Sequence, residues 1–282
     1  MTTATISPAP RQAAPRRSSL RWLIADVAVL ARRVLARMAR EPETLMDVTI
    51  QPLLFVLLFA YVFGGAIPLP GGGNYHEYLV GGMLAMGLAM TAPGTAVALV
   101  TDMSTGLIDR FRSLPMSRSA VLLGRTTADL LTQVIGALVV AAAGLAIGWR
   151  IHNGPVDALA AFGLALLFGY AFTWAGVCLG MMLRSVEAAQ QLGFILFIPL
   201  TFISNAFVPT QGMPAWLQVV ADWNPFSAVA AACRRLFGNP DPSALVQAWP
   251  MQHPELATLL WSGLALVVFV PLAIRLYARK ER

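Results

Sequence analysis

Lysine is almost absent from this sequence: the 282 residues include one, Lys280, near the C-terminus. A phosphate cradle of the GxxxxGK[ST] type needs a lysine behind a glycine-rich turn. Lys280 follows Ala278 and Arg279, so the chain holds no P-loop and cannot hydrolyse ATP in that way. Cysteine is limited to Cys178 and Cys233, too few for a disulfide framework or a tetrahedral zinc site. The three histidines, His76, His152 and His253, are far apart in sequence, and no metal site is expected. Charge is scarce as well, at 12% of residues against 57% hydrophobic. That ratio excludes an ordinary soluble domain and indicates a membrane protein.

What the sequence does have is long uncharged runs. About 20 apolar residues cross roughly 30 Å of hydrocarbon at helical rise. Six such runs lie near 47–67, 78–100, 127–149, 158–183, 188–208 and 256–276. Backbone polar groups in lipid must find partners within their own segment, which a helix provides. The fold class is therefore an all-α membrane protein with six transmembrane helices. In the second run Gly81, Gly82, Ala85, Gly87, Ala89 and Gly94 permit close helix packing, and Pro93 and Pro199 are expected to kink runs two and five.

The basic residues orient these runs. Eight arginines precede the first run, four lie between the second and third, one is Arg184, and four basic residues end the chain. Only Arg150, Arg234 and Arg235 fall on the opposite side. An excess of Lys and Arg marks cytoplasmic loops, so both termini are expected in the cytoplasm. The net charge of +6 then reflects topology and not nucleic-acid binding.

Residues 1–19, rich in Pro, Ala, Ser and Arg, read as a disordered cytoplasmic tail, and 20–282 as a single transmembrane domain. Over 20–40 the apolar residues Leu20, Leu23, Ile24, Val27, Leu30, Val34 and Met38 recur at helical spacing, with Arg33, Arg37 and Arg40 turned away. Such a helix fits the surface of an anionic leaflet. A secretion signal fits poorly, because Asp26, Arg32 and Arg33 interrupt the apolar run.

Between the second and third runs stands STGLIDRFRSLPMSRSAVLLGR. Leu107, Ile108, Phe111 and Leu114 share one face of a short helix, which Ser104 or Thr105 can cap and Pro115 ends. Arg110 and Arg112 occupy the other face. A helix of this kind either rests on the bilayer or inserts as a knob into a groove of a soluble partner, with its arginines at a charged rim. Among the acidic residues Asp47 opens the first run, and only Asp129 falls further inside one, at its cytoplasmic end, where it can pair with Arg125. Energy supplied by another chain is favoured over an ion- or proton-coupled carrier, which remains the alternative.

After the fifth run, residues 209–255 are too long for a simple turn. Pro214 to Trp223 predicts a short helix with Trp216, Val219, Val220 and Trp223 on one side, and Ser227 to Phe237 an Ala-rich second helix after Asn224-Pro225. Tryptophan favours the bilayer interface, so these helices either dip into the outer leaflet over an exit path or form an inert cap.

Three places carry a resemblance. GLIDRFRSLPMSRSAVLLGR is similar to the coupling-helix loop of the ABC type-2 exporter permeases, in particular the daunorubicin-resistance type. FVPTQGMPAWLQVVADWNPFSAVAAACRRLFGNP resembles their external segment, and the six-run layout with an N-terminal amphipathic helix matches over nearly the whole chain. The resemblance implies a bacterial cytoplasmic-membrane exporter of a hydrophobic or amphipathic molecule. A permease homodimer would sit on two separate ATPase subunits, which bind ATP and Mg. Leu107, Ile108, Arg110, Phe111, Arg112 and Leu114 would make the ATPase joint. Trp216, Trp223, Asn224, Pro225 and Arg234 would form the external cap. No cofactor is expected in this chain. One departure stands out: where relatives often place an acidic residue three positions before the arginine, this chain has Ala231.

Overall fold

Backbone groups that meet lipid must be paired internally, and among the described residues every regular element is helical. The computed structural model of the chain describes residues 42–104 and 118–279. The expected tail at 1–19, the interfacial helix at 20–40 and the apolar stripe from Leu107 to Leu114 lie outside the described residues.

Helix α1 (Pro42–Leu57) runs on into a wider π-helical stretch, Leu58–Phe63. Helices α2 (Tyr75–Ala89) and α3 (Thr91–Ser104) form one crossing broken at Met90. Then follow α4 (Arg118–Ala146), α5 (Pro155–Met182) and α6 (Val186–Phe202). The segment after α6 contains α7 (Ala215–Asp222), α8 (Pro225–Phe237) and the short α9 (Trp249–Gln252), and α10 (Pro254–Arg279) ends the bundle. Side chains set several starts: Asn74 Oδ1 accepts from His76 N, Ser185 Oγ from Ala188 N, and Asn224 Oδ1 from Phe226 N.

Among the described residues four helical runs are long and apolar enough to cross a membrane: Tyr75–Ser104, Leu123–Ala146, Pro155–Met182 and Pro254–Arg279. They coincide with four of the six runs read from sequence, and the protein is a multi-pass membrane protein. The first and fifth are shorter, Val48–Phe63 and Val186–Phe202. The fifth stops at Phe202 and not near 208 because side chains outside the helix take its terminal carbonyls. Asn224 Nδ2 donates to Leu200 O and Ile203 O, and Arg234 donates to Asn205 O and Ala206 O. The apolar letters at 203–208 concealed that turn.

Helix α5 is central, packed by α2, α3, α4, α8 and α10, while α1 lies along α4 and α6 along α3. Phe168 and Phe172 of α5 meet Phe226 of α8 and Phe197 of α6 in edge-to-face contacts. Outward side chains such as Leu54, Ile195, Leu260 and Val267 stay exposed, as a lipid-facing surface requires. Of the small residues in α2 and α3, Gly82 is tightly constrained, since a Cβ there would come 1.8 Å from Ala206 O. Gly87 and Gly94 meet nothing and are not packing positions.

Candidate functional site

Helix α8 enters the bundle instead of lying on it. From Phe226 to Arg234 every residue is buried, because alanine and serine let the helix approach α2, α5 and α10 closely. Cys233 is fully buried beside Ala161 of α5, and it and Cys178 are both free thiols.

Arg234 organises this end. It is fully buried, and its Nε donates to Tyr78 O at 2.8 Å. Nη2 donates to Asn205 O at 2.8 Å and Ala206 O at 2.9 Å, and Nη1 to Asn205 Oδ1 at 3.3 Å. The guanidinium carbon lies 3.5 Å over the Tyr78 ring. The tyrosine hydroxyls extend the contact: Tyr75 donates to Phe207 O at 3.0 Å and Tyr78 to Asn205 O. The departure at Ala231 thereby finds its answer, for carbonyl dipoles and a ring face do the work of a carboxylate. Ala231 packs instead among Ala228, Val246, Met251 and Ala257. In the loop beyond α8, burial raises the Asp241 carboxyl above its ordinary range, and the Arg234 charge opposes that shift.

A second set of contacts ties the 147–154 loop to α8, and sequence reasoning missed it. Trp149 Nε1 donates to Asn239 Oδ1 at 2.6 Å, Asn239 Nδ2 to Arg150 O at 2.8 Å, and Asn153 Nδ2 to Arg235 O at 3.1 Å. His152 Nε2 lies 2.8 Å from Glu77 Oε1 on α2. The Gly-Asn-Pro step at 238–240 was the available signal: Gly238 has a φ of 74°, and a Cβ there would meet Asn153 Oδ1 at 2.7 Å.

Helix α7 behaves as its pattern predicts. Trp216, Val219, Val220 and Trp223 are all more than half exposed and form one outward apolar face. The expected cap residues therefore divide. Trp216 and Trp223 face outward, whereas Asn224 and Arg234 are buried and Pro225 is half-buried between them. An open apolar hollow of about 300 Å³ sits at the elbow between α6, α7 and α8, lined by Pro199, Leu200, Ile203, Val220, Asn224 and Pro225.

At the opposite end of the bundle, Arg125 of α4 lies 3.7 Å from Asp102 of α3 and 3.3 Å from Asp129 one turn along its own helix. Thr95 of α3 donates to Asp129 Oδ2 at 2.8 Å. Asp129 is deeper in its helix than expected, because α4 already starts at Arg118. The stripe between these stems, Leu107, Ile108, Arg110, Phe111, Arg112 and Leu114, lies outside the described residues. Among the described residues no group of three or more His, Cys, Asp or Glu side chains could hold a metal.

Comparison with known proteins gives this architecture its place. The profile of the ABC-2 type transporter family matches residues 25–237. The "Daunorubicin resistance ABC transporter permease protein" of Streptomyces coeruleorubidus is 32% identical over 240 residues, covering 85% of this chain and 81% of that protein. A "Probable doxorubicin resistance ABC transporter permease protein" of Mycobacterium tuberculosis is 24% identical over 275 residues, covering 97% of this chain and 96% of its own length. A second from that organism is 27% identical over 242 residues, covering 83% and 82%. Because the profile spans most of the chain and these alignments cover 83% or more of it, the chain belongs to the ABC-2 type transporter family, as a membrane-spanning ABC exporter permease.

Proposed function

We propose that this permease serves an exporter that moves a hydrophobic or amphipathic molecule, such as a drug, an antibiotic or a lipid, out of the cytoplasm or the inner leaflet. Separate ABC ATPase subunits bind ATP and Mg and hydrolyse the nucleotide, and two permease copies sit on two ATPases. The observation that carries this reading is how little inside the bundle could couple to an ion gradient. Away from helix ends, Asp129 is the one carboxylate on the described crossings, and Arg125 and Thr95 hold it. A proton carrier needs ionisable groups free to exchange along its path. The sequence has no phosphate cradle either, which supports a supply of energy from another chain. The printed names of the relatives, which concern daunorubicin and doxorubicin resistance, support the substrate class.

In this reading the chain crosses a bacterial cytoplasmic membrane six times, with the two shorter helices counted and both termini in the cytoplasm. Charge supports the orientation, with seventeen basic residues assigned to one side and three to the other. The 105–117 segment seats in an ATPase groove through Leu107, Ile108, Phe111 and Leu114, with Arg110 and Arg112 at the rim. The outward face of α7 rests in the outer leaflet, beside the exit. The test is reconstitution with the partner ATPase and measurement of ATP hydrolysis over a panel of anthracyclines and phospholipids. Substrate-stimulated hydrolysis with ATP-dependent export is expected. Transport driven by an ion gradient in a permease that binds no ATPase would overturn the reading.

A further inference from the structure

The second crossing is broken where three helices meet in the interior. α2 ends at Ala89 and α3 begins at Thr91, and Pro93 contributes no amide hydrogen to the ladder. Gln133 of α4, 1% exposed, reaches into the break. Its Nε2 donates to Thr91 Oγ1 at 2.6 Å, to Thr173 Oγ1 of α5 at 2.9 Å and to Leu88 O at 3.4 Å. Both threonine hydroxyls spend their own protons on local carbonyls, Thr91 on Leu88 O at 2.7 Å and Thr173 on Gly169 O at 3.0 Å. Gln133 Oε1 is consequently buried without a donor. Native structures keep few such groups, because an unpaired amide oxygen in a dry interior is costly. Room for it is built in: a Cβ on Gly169 would lie 2.9 Å from Oε1.

We infer that Gln133 is a positioning residue for a hinge at residues 88–93, its unpaired amide oxygen accepting a threonine hydroxyl in a second arrangement of α3. A turn of α3 that draws Thr91 off the Leu88 carbonyl frees a hydroxyl proton for Oε1. One hydrogen bond is exchanged for another, which keeps the two arrangements close in energy, as a switching element requires. The placement gives the hinge its use. Beyond it, α3 leads to the 105–117 segment and faces Arg125 of α4 through Asp102. Before it, α2 is held by Arg234 at the Tyr78 carbonyl. The hinge thus lies between the driven end and the tip, and for the source of the drive alone this rests on the ATPase reading above.

The test compares Gln133→Leu and the gentler Thr173→Val with the parent, as full-length permease in nanodiscs with its ATPase. Hydrogen exchange of the amides at 88–96, read without nucleotide, needs no transport. In Gln133→Leu it should change by about tenfold. The unfolding temperature should hold or rise, since an apolar side chain replaces a half-satisfied amide. Export per ATP hydrolysed should fall about fivefold or more. Thr173→Val should shift exchange and export in the same direction by less. A lowered unfolding temperature, with export and hydrolysis falling in proportion to abundance, would reduce Gln133 to packing and overturn the hinge. Unchanged exchange in both variants would overturn it even where ATP-driven export occurs. Altered exchange in a permease whose parent exports nothing with ATP would support the hinge and reject the function proposed above.

Discussion

Arg234 offers the sharpest structural test, because a fully buried cation with no carboxylate partner is unusual and its contacts are countable. Four of its five N–H groups are engaged, on three backbone carbonyls and one amide oxygen. Arg234→Ala takes their donor from Ala206 O and Asn205 Oδ1, while Asn205 O keeps the Tyr78 hydroxyl, and each unpaired group costs about 1–3 kcal/mol. Relief of the buried charge returns part of that loss, and breaking a buried charged network costs about 3–5 kcal/mol net. At ~2–4 °C per kcal/mol for a chain of this size class, the unfolding temperature should fall by about 10 °C. Arg234→Lys should lose about half as much, because an ammonium can neither span the acceptors as a planar fork nor stack flat on the ring. Thermal unfolding of the detergent-purified permease, followed by tryptophan fluorescence, measures both. Ala231→Glu sharpens the result: with one N–H to spare, Arg234 gains little from a new carboxylate, which must also intrude among Val246, Met251 and Ala257. It should lower the unfolding temperature. Shifts below about 2 °C for Arg234→Ala, or stabilisation by Ala231→Glu, would refute the reasoning.

Topology is checked with an impermeant thiol reagent in intact cells, after Cys178 and Cys233 are replaced by Ala: Gly72→Cys should react and Ser113→Cys should not. Replacing Leu107 and Phe111 together by Ala should weaken ATPase co-purification by on the order of 2 kcal/mol, about thirtyfold, if they anchor the joint; unchanged capture would reject the contact. Burial raises the Asp222 carboxyl above its ordinary range, while the Thr210 hydroxyl, donating to Asp222 Oδ1 at 2.8 Å, pulls the other way. A raised native value favours folding below the unfolded pKa and loses that benefit as pH rises through the native one. Asp222→Asn keeps the acceptor, so it should be the more heat-stable protein at neutral pH and lose that lead on acidification; a lead that grows in acid would contradict the sign. Converting Arg110 and Arg112 to Lys preserves the charge that sets topology but not the forked geometry, so insertion should be normal and export reduced; export at the parental rate would leave only the topological role.

The crossings were legible because each is a local property. Length and apolar content place a helix in lipid without reference to anything else, and four of the runs agree with the structure to within a few residues. Helix α7 was legible for a related reason, since its outward tryptophans and valines repeat at helical spacing. The polar joints were not. Arg234 finds its acceptor at Tyr78, 156 residues away, and at Asn205 and Ala206, and no spacing rule connects those positions. The alanines of α8 were the nearest hint, because a helix poor in large side chains is suited to close packing inside a bundle. Gln133 carried a signal as well, as the one amide side chain on its helix, but its partners lie on two other helices.

These joints have a common physical cause. Between helices in a bilayer there is no hydrophobic drive, since lipid tails are as apolar as leucine, so register rests on packing and on the few polar contacts. The broken second crossing carries such contacts at three levels: Tyr78 with Arg234 at one end, Thr91 with Gln133 at the break, and Thr95 and Asp102 with Asp129 and Arg125 at the other end. If packing alone set the register, apolar isosteres at all three levels would be interchangeable. The contacts differ in kind, however. The outer two involve charges, whose removal leaves strong partners unpaired, while the middle one is neutral and incompletely satisfied. A crossing fixed firmly at its ends and loosely at its break can bend only in the middle. That mechanical asymmetry follows from which side chains the chain places on α4 and α8, and it would vanish if Gln133 were as fully bonded as Arg234.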